Sequence, residues 1–368
     1  MKNDLSSQIK LDRISRRYYS PDNEIERTAL TREEKMDTLI FETASDGAGH
    51  LAERIAAYIR RFVSEKGKCV LALGAGTSTH PVYAGLIRMA KAGELDFSKV
   101  IVCNISEFFP LQPEGPSTLR RLRDVFLDHV DIAESNVRSI NPGITKETMH
   151  EYCQAYEQWI ADEGGIDVVL CEIGSNGSIA FNEPGSARSS FCRMVLLSND
   201  TRHNIAHDYK CDEIPTTAIT LGIADILSSR RILTMAWGES RAEIVRRTVE
   251  LPPDTSVPAS QLQGHPHVHV AVDLAAAEEL TRISHPWKVT SCEWNDKLIR
   301  RAIVWLCGVT GKPILKLTNK DYSDWGLGEL LAIYGSAYNV NIKIFNDLQH
   351  TITGWPGGKP DADDTYRP

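Results

Sequence analysis

The stretch "IDVVLCEIGSNGSIAFNEPGS", residues 166–186, joins an aliphatic run to a loop punctuated by glycines. The aliphatic run predicts a buried strand over 165–174, and the glycines, hydroxyls and amides that follow predict a loop. Ligands of parallel α/β sheets bind beyond the carboxyl ends of the strands. The loop therefore stands where an active site is expected.

The same alternation of aliphatic strands and amphipathic helices extends to both sides of this stretch. "KCVLALG" (68–74), "SKVIVCNI" (98–105) and "HVHVAVD" (267–273) are further strand candidates. The helix predicted at 46–67 has one apolar face, formed by Leu51, Ile55, Ala56, Ile59 and Phe62. Near-continuous Val/Ile/Leu strands indicate a sheet that is covered on both faces. We therefore predict an α/β fold over 36–283: a doubly wound, mostly parallel open sheet with helices on both faces.

Three further segments flank this region. Residues 1–35 are polar and charged and predict an N-terminal arm. Residues 284–350 predict a small C-terminal α/β appendage, in which a helix over 295–311 is followed by short apolar runs such as "KPILKLT" and "NIKIFND". Residues 351–368 are rich in Gly, Pro and Asp and predict a linker-like tail, as expected for one module of a longer polypeptide.

Composition narrows the class of protein. The chain has 368 residues and a formal net charge of −8, which predicts neither a nucleic-acid partner nor binding to an anionic membrane. The 8 cysteines are scattered and form no C-x-x-C pair. His267 and His269 share a strand face but lack a third ligand nearby, so no metal site and no cofactor are expected. Without an apolar signal segment or membrane span, the expected location is the cytoplasm.

The loop "LGAGTSTHP", residues 73–81, follows a buried strand and precedes a helix. Its glycines can turn backbone N–H groups toward a ligand, and the helix start adds further donors, which together favour a phosphate group. An ordinary turn rich in helix-capping residues explains the same pattern. The candidate phosphate-binding residues are Gly74, Gly76, Thr77, Ser78 and Thr79.

Two other loops reach the same edge of the predicted sheet. "NISEFFPLQPEGPS", residues 104–117, carries Glu107, which is either functional or an exposed residue of a packed connection. In the loop after residue 174, Asn176 and Ser178 offer hydrogen bonds but weak acid–base chemistry. Glu183 is the residue of that loop expected to act as an acid or base.

Taken together, these loops resemble the glucosamine-6-phosphate deaminase family, which converts glucosamine 6-phosphate to fructose 6-phosphate and ammonia. The resemblance covers about 36–283 and rests on "LALGAGTSTHPVY", "FLDHVDI", "IAFNEPGS" and "VPASQLQGHPHVHVAVD". It implies a sugar-phosphate ligand such as glucosamine 6-phosphate. Members often assemble through this domain, which leaves a homo-oligomer open. The C-terminal part resembles the longer bacterial members, in which a deacetylase-like domain follows.

The resemblance also shows where this chain departs from the family. Ser106 stands at the position of the aspartate that moves a proton between C1 and C2. Ser178 stands at the position of the histidine that opens the sugar ring, and Asn176 at that of an aspartate supporting it. Of this catalytic set only Glu183 remains.

Two positions bear on the phosphate group. Arg241 aligns with a phosphate-contacting lysine of the family and keeps its charge, and His207 aligns with a phosphate-binding arginine of the shorter members. The resemblance therefore implies sugar-phosphate binding with deaminase activity that is weak or lost. Alternatives are an active enzyme in which Glu107, His80 or His207 substitutes, a non-catalytic sensor or regulatory partner, a 6-phosphogluconolactonase-like hydrolase, and a structural module.

Overall fold

The computed structural model describes residues 15–111, 114–140, 144–211 and 214–353. Residues 1–14 of the predicted N-terminal arm and the predicted tail from residue 354 onward lie outside these residues. The chain forms two compact units, which divide between Arg32 and Glu33 and again between Leu280 and Thr281. The larger unit spans Glu33–Leu280, and the smaller combines the segment ending at Arg32 with the residues from Thr281 onward. The predicted division of the chain into an arm (1–35), an α/β domain (36–283), an appendage (284–350) and a tail (351–368) remains a prediction.

The described residues form ten strands and thirteen α-helices, apart from short 3-10 turns. The strands are β1 Asp37–Phe41, β2 Cys69–Leu73, β3 Val100–Asn104, β4 Ser106–Phe109, β5 Val137–Arg138, β6 Val168–Glu172, β7 Arg193–Leu196, β8 Thr217–Thr220, β9 Arg231–Ala236 and β10 Val268–Asp273. The helices are α1 Glu24–Leu30, α2 Ala44–Lys66, α3 His80–Lys91, α4 Thr118–Val125, α5 Met149–Asp162, α6 Asn199–Tyr209, α7 Ile223–Leu227, α8 Ala242–Val249, α9 Thr281–Ser284, α10 Asp296–Thr310, α11 Asn319–Asp324, α12 Gly328–Tyr334 and α13 Ala337–Thr353.

The larger unit is built on a seven-stranded sheet in the order β1-β10-β9-β6-β2-β3-β5, with every neighbouring pair parallel. This confirms the predicted α/β fold with a mostly parallel open sheet. After β2 the chain continues to β3 and β5 on one side, whereas β6 enters on the other side of β2. The strand order thus reverses between β2 and β6, which makes the carboxyl ends of these two strands the expected ligand site.

Helix α2 shows how local sequence sets the core. Thr43 caps its first turn by accepting a hydrogen bond from the Asp46 N–H, and Gly67 ends it with φ of 80°. The five residues of the predicted apolar face are all buried. They pack in one cluster with buried residues of β2, β3 and α3, and burial of a Leu, Ile or Phe side chain contributes about 1.5–3 kcal/mol.

A second sheet of three antiparallel strands, β4-β8-β7, lies in the same unit. The stretch "TAITLGIADILSS", predicted from its sequence as one helix, instead forms β8 and then α7. The prediction was wrong because β8 has only four residues and is specified by pairing with β4 and β7, which a local pattern does not reveal.

The smaller unit corrects the predicted α/β appendage, since its described residues contain helices and no strand. Gly311 ends α10 with φ of 65°, as predicted, and Asn295 caps its first turn. "NIKIFND" alternates like a strand but lies inside α13, where Val340, Ile344 and Leu348 recur at helical spacing and pack into the unit's core. "KPILKLT" becomes a 3-10 turn after Pro313. None of the helices among the described residues is both long and apolar enough to cross a membrane.

Candidate functional site

A cavity of about 150 Å³ lies at the carboxyl ends of β2 and β6. Its walls come from the loops after β2, β3, β6 and β9 and from helices α4 and α6. The predicted site residues that line it are Gly74, Gly76, Thr77, Ser78, Thr79, Ser106, Asn176, Ser178 and Arg241. The topology thus brings together residues that the chain separates widely.

The loop after β2 is fixed by bonds to its carbonyl groups. The Tyr83 hydroxyl donates to the Gly74 carbonyl, and the Trp237 indole donates to the Ser78 carbonyl at 3.2 Å. The Thr79 hydroxyl donates to the Gly76 carbonyl at 2.7 Å. With its carbonyls held by the protein, the loop presents a fixed wall to the cavity.

The loop after β6 is organised around Asn176. Its amide donates to a carboxylate oxygen of Glu183 at 2.8 Å, and its carbonyl oxygen accepts the Ser178 N–H at 3.0 Å. The other Glu183 oxygen accepts the Ser198 N–H at 3.3 Å, just before α6. Gly177 has φ of 79°, and a Cβ there would lie 2.8 Å from Val257, so a side chain is excluded twice over. Glu183 is therefore not among the residues that line the cavity, but it is bonded to Asn176, which is.

Ser106 and Ser178 line the cavity and are 7% and 8% exposed. Ser106 lies in β4, where it pairs with Thr220 of β8. The sequence predicted a loop over this region, but the second sheet extends it into a strand. These two hydroxyls occupy the positions at which the family resemblance expects a carboxylate and an imidazole.

The three residues named as substitutes for the missing groups lie elsewhere. Glu107 is buried rather than exposed, and its carboxylate accepts four hydrogen bonds, from Phe108 N–H, the Ser117 hydroxyl and the N–H groups that begin α4. His207 is 89% exposed on α6 and does not line the cavity. Burial, and then the charge of Arg121, lower the pKa of His80 at the start of α3, so its imidazole is neutral at pH 7.

Other titratable groups do line the cavity. Burial raises the pKa of Cys171 to about 12 and that of Tyr209 well above its usual range, so both stay protonated at neutral pH. Glu172 and Asp208 add carboxylates, and Arg121 adds a second cation, with its guanidinium 4.3 Å above the Tyr209 ring.

Sequence reasoning missed Glu172, Asp208 and Arg121. Glu172 lies inside the strand predicted over 165–174 and is the last residue of β6, and Arg121 belongs to a basic helix face that is typical of solvent exposure. A polar residue at the carboxyl end of a parallel strand is the signal that identifies Glu172. No such signal marks Asp208, which reaches the cavity only because α6 packs beside it. Among the described residues, no group of three or more His, Cys, Asp or Glu side chains is placed to hold a metal ion.

The family model for glucosamine-6-phosphate isomerases/6-phosphogluconolactonase matches residues 42–270. A glucosamine-6-phosphate deaminase-like protein of Bacteroides thetaiotaomicron is 53% identical over 370 residues; the alignment covers all of this chain and 56% of that protein. The chain therefore spans little more than half the length of this relative. Glucosamine-6-phosphate deaminase 1 of Giardia intestinalis is 39% identical over 246 residues, covering 66% of this chain and 90% of that protein.

Solved structures agree with these sequence matches. A monomeric glucosamine-6-phosphate deaminase is similar with a TM-score of 0.62 and 33% identity, over 66% of this chain and all of that one. The 6-phosphogluconolactonase of Thermotoga maritima matches with a TM-score of 0.52 and 18% identity, over 65% of this chain and 99% of that one. The second match is a likeness of fold alone.

Proposed function

The chain belongs to the glucosamine-6-phosphate isomerase/6-phosphogluconolactonase family, and from that premise we propose that it binds a sugar phosphate such as glucosamine 6-phosphate but deaminates it weakly or not at all. One observation carries the proposal: the hydroxyls of Ser106 and Ser178 line the cavity at the positions where the family resemblance expects a base and an imidazole. The chain is then a sensor or a regulatory or structural module of amino-sugar metabolism.

The chemistry explains why these two serines matter. Removing a proton from carbon alpha to a carbonyl requires a carboxylate or similar base at that carbon, and a serine hydroxyl has no such basicity. Opening the sugar ring requires a group that exchanges protons near neutral pH, as histidine does. Each loss costs roughly 10²–10⁴-fold in rate, and losses within one catalytic unit do not add simply.

Binding is a separate matter, because all the groups expected to hold the phosphate except His207 line the cavity. The glycines and hydroxyls of the loop after β2 and the guanidinium of Arg241 line the same cavity. Arginine suits phosphate because its planar group can donate two parallel hydrogen bonds. A ligand can thus be held without being converted.

A second candidate function is a working deaminase that uses a different base. It is favoured by the carboxylates of Glu172 and Asp208, which line the cavity. Both, however, accept hydrogen bonds from the loop after β2, at the Ser78 N–H and the Thr77 hydroxyl. They are therefore engaged by the loop that is proposed to hold the phosphate.

The deciding experiment measures ammonia released from glucosamine 6-phosphate at high enzyme concentration, with binding followed by calorimetry. We expect binding by the unmodified protein without turnover, and measurable turnover in a variant carrying Ser106→Asp, Asn176→Asp and Ser178→His. Turnover by the unmodified protein that is lost in Glu183→Gln would overturn the proposal. Glu172→Gln and Asp208→Asn then identify the substitute base, since only the variant that lacks it loses turnover.

A further inference from the structure

The Glu172 carboxylate lies directly against the loop after β2. A Cβ at Gly76 would fall 2.1 Å from one carboxylate oxygen and 2.7 Å from the other, closer than any real contact. The Ser78 N–H donates to that second oxygen at 3.2 Å. Gly76 thus leaves room for the carboxylate of Glu172 in its present position, and the Glu172 side chain is partly buried.

A second carboxylate contacts the same loop. The Thr77 hydroxyl donates to Asp208 at 3.2 Å, from the side of α6. Glu172 and Asp208 together balance the charges of Arg121 and Arg241, the two arginines that line the cavity. The formal charges of the acidic and basic residues that line the cavity therefore sum to zero.

This arrangement opposes a phosphate group. A phosphate monoester carries a charge of about −1.5 to −2 at neutral pH and requires donors such as backbone N–H groups. At this loop the Ser78 N–H is already directed at a carboxylate, and a phosphate placed there meets a like charge. A sugar without a phosphate meets no such repulsion.

We infer that Glu172 is a specificity-determining residue: its carboxylate competes with the ligand's phosphate group for the loop after β2 and lowers affinity for phosphorylated relative to unphosphorylated amino sugars. The inference rests on the proposed function, because it assumes that the phosphate of a sugar ligand is directed to this loop. Asp208 contributes less, since its side chain is 35% exposed and it contacts the loop through a rotatable hydroxyl.

The test compares the affinities of glucosamine 6-phosphate and glucosamine, measured by isothermal titration calorimetry. Glu172→Gln keeps the size of the side chain and removes its charge, and Glu172→Ala removes the group. Glu151→Gln changes net charge equally at an exposed position on α5 and serves as the matched control. Circular dichroism verifies that all four proteins are folded.

We expect both Glu172 variants to bind glucosamine 6-phosphate at least about tenfold more tightly than the unmodified protein and Glu151→Gln, with glucosamine binding unchanged. Equal or weaker phosphate-ligand binding in the Glu172 variants overturns this inference and leaves the proposed function standing. Binding of glucosamine 6-phosphate by none of the proteins overturns both. Binding by the Glu172 variants alone supports the inference and removes sugar-phosphate binding as a function of the unmodified chain.

Discussion

Asn176 donates its side-chain amide to Glu183 across 2.8 Å, so the acid that the family resemblance predicts to be retained is bonded to a position that it predicts to be substituted. The same Asn176 accepts the Ser178 N–H at 3.0 Å. The three positions form one hydrogen-bonded unit. The amide suits this unit because it donates to a carboxylate and accepts from a backbone N–H at the same time.

Replacing Asn176 by Asp alone should therefore destabilise the protein. The new carboxylate would face that of Glu183 at hydrogen-bond distance, and adjacent like charges raise the pKa of the pair above its value in the unfolded chain. The loss of unfolding free energy should be about 1–3 kcal/mol near pH 7.5 and smaller near pH 5, where the pair can share a proton. Urea denaturation at the two pH values measures it.

Two controls separate charge from hydrogen bonding in this experiment. Asn176→Ala loses hydrogen bonds worth about 1 kcal/mol each, with little difference between the two pH values. Adding Glu183→Gln to Asn176→Asp restores a donor–acceptor pair and should recover most of the stability. An Asn176→Asp protein as stable as the unmodified one at both pH values would mean that the two side chains are not in contact.

The same unit shows which parts of the site were predictable from sequence. Ser178, Asn176 and Glu183 lie within one short loop, and the β2 and β6 loops meet because aliphatic strands predict a parallel sheet whose loops share an edge. The role of Glu172 depends on a contact between residues 94 positions apart, Ser78 and Glu172, which no local pattern encodes. Strand β8 was mistaken for helix for the same reason, since its partners are distant in sequence.

Glu107 illustrates a residue whose chemistry suggested function and whose contacts indicate structure. Its buried carboxylate accepts four hydrogen bonds and caps the start of α4. Glu107→Gln removes the charge and replaces one acceptor oxygen by a donor, which leaves N–H groups unpaired. We expect a loss of about 2–4 kcal/mol in unfolding free energy, since each unsatisfied buried group costs about 1–3 kcal/mol.

Thermal or urea unfolding of Glu107→Gln measures this loss, and Glu114→Gln, at an exposed position, serves as its control. A catalytic role makes a different prediction: the variant would keep its stability and lose any turnover that the unmodified protein has. Full stability in Glu107→Gln would contradict the capping role.

Arg241 and His207 should differ in their effect on phosphate binding. Arg241 lines the cavity, whereas His207 is 89% exposed and lies outside it. Arg241→Gln should weaken binding of glucosamine 6-phosphate about tenfold or more and leave glucosamine binding unchanged, because a charge-assisted hydrogen bond is worth about 1.5–3 kcal/mol. His207→Gln should change neither affinity by more than about twofold.

Calorimetric titration of the two variants with both ligands tests this assignment. Arg241→Lys is the conservative control. It should retain part of the affinity, because lysine keeps the positive charge but cannot donate the bidentate pair of hydrogen bonds that a guanidinium can. A large effect of His207→Gln with none from Arg241→Gln would show that the ligand's phosphate lies on the α6 surface instead.

The raised pKa of Asp225 predicts that the stability of the folded protein depends on pH. This effect does not involve the residues that line the cavity. Burial raises the pKa of Asp225 to about 7, with the hydrogen bond from the Gly222 N–H at 2.8 Å opposing the rise and the charge of Glu157 adding to it. The folded protein therefore holds this proton at pH values where the unfolded chain has released it. Above the unfolded pKa of about 3.9, stability falls as pH rises, and the fall ends once pH exceeds the folded value.

Asp225→Asn should remove this part of the pH dependence, because its carbonyl oxygen can still accept the Gly222 N–H while no proton is exchanged. Between about pH 5 and about pH 8 the unmodified protein should lose about 1–3 kcal/mol more unfolding free energy than Asp225→Asn. Asp200→Asn, at an exposed position in the first turn of α6, is the control and should parallel the unmodified protein. The contrary outcome is that the unfolding free energy of Asp225→Asn, measured by urea denaturation, falls with pH as steeply as that of the unmodified protein. It would show that Asp225 is ionised in the folded protein throughout this range and that water reaches its carboxylate.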